Sequence, residues 1–582
     1  MRSSTVRVRR VGLLAALVAA TCLISTGSAS ADAFGPQFQV TNWGPAGDVN
    51  WHAGFSDIAY NPTTDTHLVV FIASTTVDDQ NTDNSTDDVY GQFVDENGNN
   101  VGSAFRISTV SQTIGNFNPA QVIYNPTANE FLVAWDQGEE VFVRRVSATG
   151  ALLDDPQQVS QAGQPSNEDI ETEAIAWSAD LGRYLVVWKG NSDSVGLLYG
   201  QFVNADGTAA GSTDLVLGGG PGLHVDDAVG LTYNATNHEF FAVYRAKDSV
   251  GEYEIYAQRI DLAGNRVGTQ DIRVSHMGPD GSTQYATQPP DVAWNAQTNQ
   301  YLVAWSANDN TPPLVQGEFE VYAQLVGADG SIAGNRIRVS HMGPDGNPNY
   351  DAFRPSVVYN PNANQWFVTW HGDDNTPPLV DNEYQTFGQI LAVDGTKVGT
   401  DQFRISQTVP TGVADYDATR PTADYNSQTC DFMTVWNTGN LDTNVPGPQD
   451  YEVFGSRVSA PACPPKPAPP APAPPAKDTT APTVAVAGVR RACIAKSFRL
   501  HVHAKDASGV ARVRVFVDGK RVVSTKKSSF SLRVSARKLK SGRHRLTIQI
   551  TDRAGNVRRT TRRFSVCAAV KPRRHVAPRF TG

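Results

Sequence analysis

Apolar strands and polar turns alternate along most of this chain, and one arrangement of them recurs seven times before residue 460. Each copy opens with an apolar strand ending in an aromatic and then Asn or Ser: IAYN (58–61), VIYN (122–125), IAWS (175–178), LTYN (231–234), VAWN (292–295), VVYN (357–360) and ADYN (423–426). A polar turn follows, and then a second strand closing on a large aromatic: Phe71, Trp135, Trp188, Tyr244, Trp305, Trp370 and Trp436. The first aromatics, at 60, 124, 177, 233, 294, 359 and 425, are spaced by 53 to 66 residues. A third strand is visible as VYGQFV (89–94), LYGQFV (198–203), IYAQRI (255–260), VYAQLV (321–326) and TFGQIL (386–391), and a fourth as FRIS or IRVS in copies 1, 4, 5 and 6. Gly-containing turns such as DENG, NADG and GADG join the third strand to the fourth, since Gly supplies the positive φ of tight hairpins.

Four strands per unit at this period predict propeller blades. The inner strands read as continuously apolar and the outer ones as alternating, as expected of sheets buried toward one end. The seventh copy stops at VFGSRVSA (453–460) without a fourth strand, and the missing segment is found ahead of the first blade as FQVTN (38–42). Pairing the two ends in one blade, rather than leaving 38–42 as a free arm, would remove the exposed edges of an open array. The expected architecture is therefore all-β: a seven-bladed β-propeller, a Pro-rich linker and an immunoglobulin-like β-sandwich. The expected boundaries are 1–31 for a signal peptide, 32–463 for the propeller, 464–477 for the linker, 478–567 for the sandwich and 568–582 for a basic tail.

The N-terminus has a basic start, an apolar run too short to span a bilayer and an Ala29-Ser30-Ala31 cleavage site, the pattern of a secretory signal. No later segment predicts a membrane span, so the expected location is extracellular or loosely cell-wall associated, as a monomer. Outside the signal stand four cysteines, whose economical pairing is Cys430–Cys463 and Cys493–Cys567, each inside one domain. Charge is split sharply. Residues 478–582 carry 26 Lys plus Arg against four acids, a net of +22, while residues 1–477 carry 23 against 54, a net of −31. Such asymmetry speaks of partners rather than fold.

In the basic module DTTAPTVAV, DASGVARVRVFVDG and SGRHRLTIQITDRAGN resemble the immunoglobulin-like modules of bacterial secreted proteins, which implies a spacer or adhesive unit without chemistry. The propeller repeat resembles repeats of secreted bacterial propellers with the pattern YNxxxNxYLVxW…YGQ and carries no WD40, kelch or sialidase signature. Arg512, Arg514, Lys520, Arg521, Arg558, Arg559, Arg562 and Arg563 form the expected polyanion-binding surface. An anionic cell-wall polymer is the preferred partner, with docking on the acidic propeller as the competing reading. Nucleic acid is disfavoured because stacking aromatics are scarce.

Topology places the strand 2–3 loops and the inter-blade loops on one rim, and these are the long ones. The expected ligand-binding rim residues are His52, Asp169, Asp226, Asp351 and Asp417, with His276 and His341 in duplicated SHMGPDG segments. Trp51, Tyr285, Tyr350, Phe353, Tyr384 and Tyr416 lie in the same loops and favour carbohydrate, unless they pack between blades. Three readings of the acidic ring compete. Calcium is the one cofactor raised: Asp79, Asn81 and Asp83 alternate as in a calcium loop, though Asn84 stands where Gly is usual and no Glu falls at the twelfth position. Carboxylate pairs could serve glycoside hydrolysis, although no catalytic residue is assigned. Polar groups could also simply cap strand ends. The expected function is a secreted, non-enzymatic binding or adhesion protein; the alternative is an extracellular polysaccharide hydrolase or lyase.

Overall fold

A computed structural model describes residues 35–44, 51–74, 87–108, 119–138, 140–161, 170–192, 195–309, 311–407, 417–439, 451–460, 478–489 and 492–568. The chain divides into two compact units, 1–466 and 467–582.

The first unit holds seven four-stranded antiparallel sheets. Blade 1 runs Ala53–Asn61, Thr66–Ser74, Asp87–Asp95, Asn100–Arg106, and blades 2 to 6 repeat this meander in chain order. Blade 7 is the exception that closes the ring. Its inner strands are Asp417–Tyr425, Asp431–Gly439 and Glu452–Ser459, and its outermost is Phe38–Gln39, paired as Phe38↔Gly455 and Gln39↔Phe454. The N–H of Gly35 adds a bond to Arg457 and that of Val40 one to Val453. The seven closing aromatics of the second strands are all at most 2 % exposed, so they are core and not ligand platforms. The fourth strands are the wet ones, as in Asn100–Arg106.

The aromatic-Asn motif turns out to be a clamp between blades. Five residues after each first aromatic the chain is left-handed, at Asp65, Asn129, Gly182, His238, Asn299, Asn364 and Cys430, a conformation that Asn, Asp and Gly reach most cheaply. The Asn that follows the aromatic accepts N–H groups two and three residues on, as Asn295 does from Gln297 at 2.8 Å and Thr298 at 3.1 Å. Its amide then donates forward to the left-handed residue of the next blade: Asn61 to Asn129, Asn234 to Asn299, Asn295 to Asn364 and, across the seam, Asn426 to Asp65. Three junctions depart from the pattern: the Asn125 amide donates to the Tyr184 hydroxyl at 2.8 Å because Gly182 has no side chain, blade 3 carries Ser178 in place of the Asn, and after blade 6 Cys430 occupies the acceptor position and the Asn360 amide has no hydrogen-bond partner among the described residues. Cys430 is disulfide-bonded, while Cys463 lies outside the described residues.

Two residues beyond that left-handed position lies an aromatic slot, filled by Phe131, Tyr184, Phe240, Tyr301, Trp366 and Phe432 in blades 2 to 7 and by His67 in blade 1. His67 is fully buried beside Tyr60, with no hydrogen-bond partner for either ring nitrogen among the described residues. Burial, aided by Arg457, pushes its pKa down to about 3. The folded state therefore stays neutral where an unfolded chain takes up a proton. Stability is full above pH 6.5 and is lost as pH falls toward 3. Replacing His67 with Phe, which three other blades carry in this slot, removes that loss. Urea denaturation should find the variant gaining on the parent by about 3 kcal/mol between pH 7 and pH 4. A pH-independent difference would show that His67 is not the acid-sensitive group.

The second unit is a two-sheet sandwich. Thr483–Ala487, Ser497–Lys505 and Ser529–Ser535 form one sheet; Lys520–Thr525, Val510–Val517, Gly542–Asp552 and Val557–Val566 form the other. Leu500, Val513, Val515, Ile548 and Ile550 are among the side chains filling the space between them. The expected Cys493–Cys567 bridge is present.

Candidate functional site

The innermost strands of blades 1, 6 and 7 each carry a β-bulge, between Gly54 and Asp57, Phe353 and Ser356, and Thr419 and Thr422. At each bulge one non-glycine residue takes a left-handed backbone: Phe55 at φ 53°, Arg354 at φ 49° and Arg420 at φ 53°. Such residues cost about 1–3 kcal/mol apiece and persist only where the surroundings enforce them. Here the bulges help shape a central cavity of about 350 Å³ lined by Phe55, Asp57, Pro119, Asp291, Arg354 and Arg420, among others.

Two guanidinium groups thus share one confined space. The Arg420 guanidinium lies 4.5 Å from the Phe55 ring centroid. Burial, then repulsion from Arg354, pulls the Arg420 pKa down to about 9, and burial likewise lowers that of Arg354; Asp227 attracts both. Arginine stays charged even so, and the shifts express the cost of holding two cations out of water. His371 backs this pair. Its Nδ1 accepts the Arg420 backbone N–H at 3.3 Å, and burial followed by the two arginines keeps the ring neutral.

The carboxylates near the cavity have structural work. Asp57 accepts the N–H of Val122 at 2.8 Å, Asp291 that of Val357 at 2.7 Å and Asp424 that of Tyr60 at 2.6 Å, each reaching from one blade to the next. Burial raises their pKa values to about 7, 6 and 6 respectively.

Of the predicted rim residues, Asp351 and Asp417 share a neighbourhood around Tyr384 with Asp373 and Asp381, whose charges, after burial, raise the Tyr384 pKa. Asp351 accepts the N–H of Phe319 and Asp417 that of Tyr384, both at 3.0 Å, so consecutive blades use this position to cap a neighbouring strand. Burial raises Asp351 to about 6. Nearby Asp373 is raised to about 7, mainly by burial, with one oxygen on the N–H of Asn382 at 2.7 Å. His52 pairs with Asp87 at 3.3 Å. Asp226 pairs with Arg245 at 2.9 Å, and Arg245 stacks over Tyr253. His276 and His341 stand toward the outer edge: the His276 carbonyl accepts from Arg336, and His341 contacts Lys397 and Asp401. Asp169, Asp79, Asn81, Asp83 and Tyr416 lie outside the described residues.

The duplicated SHMGPDG segments are built turns. Glu254 accepts the N–H of Met277 and the Ser275 hydroxyl, and Glu252 the N–H of Gly281. Arg273 bridges Glu252, Glu254 and Asp280. The second copy repeats this with Glu318, Glu320, Asp345 and Arg338. The expectation of exposed aromatics is corrected here for Tyr285, only 9 % exposed and packed into a core cluster, and Tyr350 packs likewise. Each ring lies over a left-handed Gly (Gly278, Gly343), where a Cβ would meet it at 2.1 and 2.3 Å.

In the sandwich, strand register sorts the predicted basic residues. Arg514, Gln549 and Arg559 form one row across the four-stranded sheet, and Arg545 and Arg563 another. Arg512 and Phe516, which pairs with Arg521, alternate with buried Val513 and Val515 and so share that outer face. Arg558 and Arg562 pair with core residues Ile550 and Leu546 and point to the other side of the edge strand; Lys520 pairs with Val517. Arg545 was missed by composition alone, although its alternation with Leu546 marks the face.

Residues 483–548 match the family model of the bacterial Ig domain. No curated protein sequence matches the chain. Among solved structures, a GH93 α-L-arabinofuranosidase of Fusarium graminearum aligns at 13% identity over 58% of this chain and 92% of its own, with TM-score 0.37. Hydrazine synthase of Kuenenia stuttgartiensis aligns at 13% over 55% and 75%, TM-score 0.34. An N-acetylgalactosamine deacetylase from F. plautii aligns at 12% over 53% and 91%, TM-score 0.31. Likenesses this distant carry no argument about activity. Among the described residues no helix is long and apolar enough to cross a membrane.

Proposed function

We propose that this is an extracellular binding protein whose propeller receives an anionic group of its ligand, an acidic carbohydrate above all, between Arg354 and Arg420. The observation that carries this reading is the pair of arginines in one cavity. Two guanidinium groups that repel each other across one cavity favour a further anion beside Asp227, and their forks match a carboxylate or sulfate in bidentate fashion. The cavity volume suits a small group and not a whole polymer. The outer face of the Ig domain, with Arg512, Arg514, Arg545, Arg559 and Arg563, would hold an anionic cell-envelope polymer in a salt-dependent way.

A hydrolase or lyase remains the second reading, favoured by the raised Asp351 and Asp373 carboxyls on blade 6. Their engagement with the Phe319 and Asn382 N–H groups fits capping better than proton transfer.

A glycan and cell-wall array, probed with the mature chain, tests both. Acidic glycans should be retained unchanged, and Arg354→Ala with Arg420→Ala should weaken retention by about 100-fold, the loss expected for charge-assisted bonds. Undiminished retention by the double variant would refute the arginine site. Shortened products that persist in the double variant would make the enzyme the better reading.

A further inference from the structure

We infer that Asp478, Asp506 and Asp552 form a calcium site at one end of the Ig domain. Residues 478–582 contain only four acids among 26 Lys plus Arg, and three of the four bring a carboxylate oxygen within 4.8 Å of one another. They come from separate elements. Asp478 follows the Pro-rich segment, Asp506 sits in the DASG turn after Ser497–Lys505, and Asp552 ends the strand Gly542–Asp552.

Each residue spends one oxygen on the backbone, and that of Asp506 also accepts the Ser508 hydroxyl at 2.6 Å. The Oδ1 atoms accept from Thr480 at 2.8 Å, Ser508 at 2.9 Å and Asn556 at 2.7 Å. Asp552 is only 1 % exposed, and its Oδ2 is buried with no hydrogen-bond partner among the described residues. A buried carboxylate oxygen left unpaired beside two further carboxylates is among the most expensive arrangements a fold can hold.

The expected remedy would be a Lys or Arg, and the module has a surplus. Yet among the described residues none forms an ion pair with any of the three; the one ion-paired acid of the module is Asp518, with His544. The propeller offers an internal contrast. Its own convergence of Glu318, Glu320 and Asp345 is filled by the Arg338 guanidinium. At Asp478, Asp506 and Asp552 no described residue supplies that filling group, and a cation from solution fits in its stead.

The donor set is all oxygen, which excludes the thiolate and imidazole chemistry of zinc sites and selects a hard cation. Calcium bonds at about 2.3–2.6 Å allow ligand atoms up to roughly 4.6–5.2 Å apart, and these oxygens all lie within 4.8 Å of one another. Magnesium, with bonds of about 2.0–2.1 Å, demands a strict octahedron and gives up its waters reluctantly, which suits three carboxylates from separate elements less well. The Asn556 amide already ties the Asp478 and Thr480 carbonyls at 2.8 and 3.2 Å. An ion here would fasten the start of the domain to two of its turns.

The test is calorimetric titration of the mature full-length chain with calcium and, separately, magnesium, after chelator treatment. The parent should bind calcium with a dissociation constant of roughly 10⁻⁴–10⁻³ M, as extracellular modules do. Asp506→Asn and Asp552→Asn should each weaken it at least tenfold, while Asp518→Asn and Asp79→Asn leave it intact. Asp506 is half-buried, so its variant keeps the test open if Asp552→Asn does not fold. Circular dichroism confirms that each variant is folded. No uptake up to about 10 mM, uptake unchanged in the folded Asp506 variant, or equal affinity for magnesium would each overturn the assignment.

Discussion

A chain lacking residues 35–44 should melt on the order of 10 °C below the parent and self-associate, whereas a chain ending at 466 should keep the propeller transition unchanged. The short strand Phe38–Gln39 looks minor but brings much with it. Val40 is 2 % exposed in a cluster with Phe71, Val435 and Val453. The Trp43 ring packs edge-on against Phe71 and Tyr90 and donates to the Ser74 carbonyl at 2.8 Å. Thr41 and the Trp43 N–H both engage Glu452. Burial of Phe38, Val40 and Trp43 contributes about 5 kcal/mol on the usual area scale. Removing them also bares the edge of Glu452–Ser459, which invites pairing with another chain. Differential scanning calorimetry reads the transition, and a synthetic 35–44 peptide should restore it by mass action. Equal melting of the truncated and parent chains would mean the ring does not need this strand.

The second large effect is expected in the Ig domain. Replacing Cys493 and Cys567 with Ser should cost about 4.5 kcal/mol at 25 °C, because the bridge closes a 74-residue separation. A domain of this size has a total stability of about 5–15 kcal/mol, so most of it disappears. Around the bridge the N–H of Ile494 bonds Ser565 and that of Cys567 bonds Ile494, so the loss also loosens the N-terminal segment from the last strand. Limited trypsin digestion of the full chain should then degrade 478–582 while sparing the propeller. Equal resistance of variant and parent would show that the core around Leu500 and Ile548 suffices alone.

The blades were legible because a strand signals itself locally: alternation, a closing Trp or Tyr, and a turn with Asn at a fixed place all survive in one dimension. Even the split blade could be read, since 453–460 lacks a partner that 38–42 supplies. The cavity was harder. Arg354-Pro355 and Arg420-Pro421 occupy the same position, five residues before the aromatic, and that coincidence was the available signal. What aims them inward is a bulge and a positive φ, which depend on pairing with the second strand and leave no pattern of their own. The structural work of the rim carboxylates was hidden for a related reason. Asp351 and Asp417 have the residue type of a ligand site, but their partners are backbone N–H groups of strands roughly 30 residues away in sequence. Arg545 illustrates the converse, since strand register alone put it beside Arg563.

The amide clamp between blades has a further consequence. Every such bond points forward, from one repeat to its successor, so the contact is heterologous in the sense used for subunits. A heterologous contact has no built-in stopping point; it ends only when the accumulated rotation completes a circle. Here the last donor, Asn426, meets Asp65, a carboxylate that can only accept. In this clamp the seam is thereby given a direction, with the last repeat the giver and the first the receiver. A chain shortened by one repeat would keep an unspent donor at one end and an unspent acceptor at the other, and two such chains would satisfy both by joining head to tail.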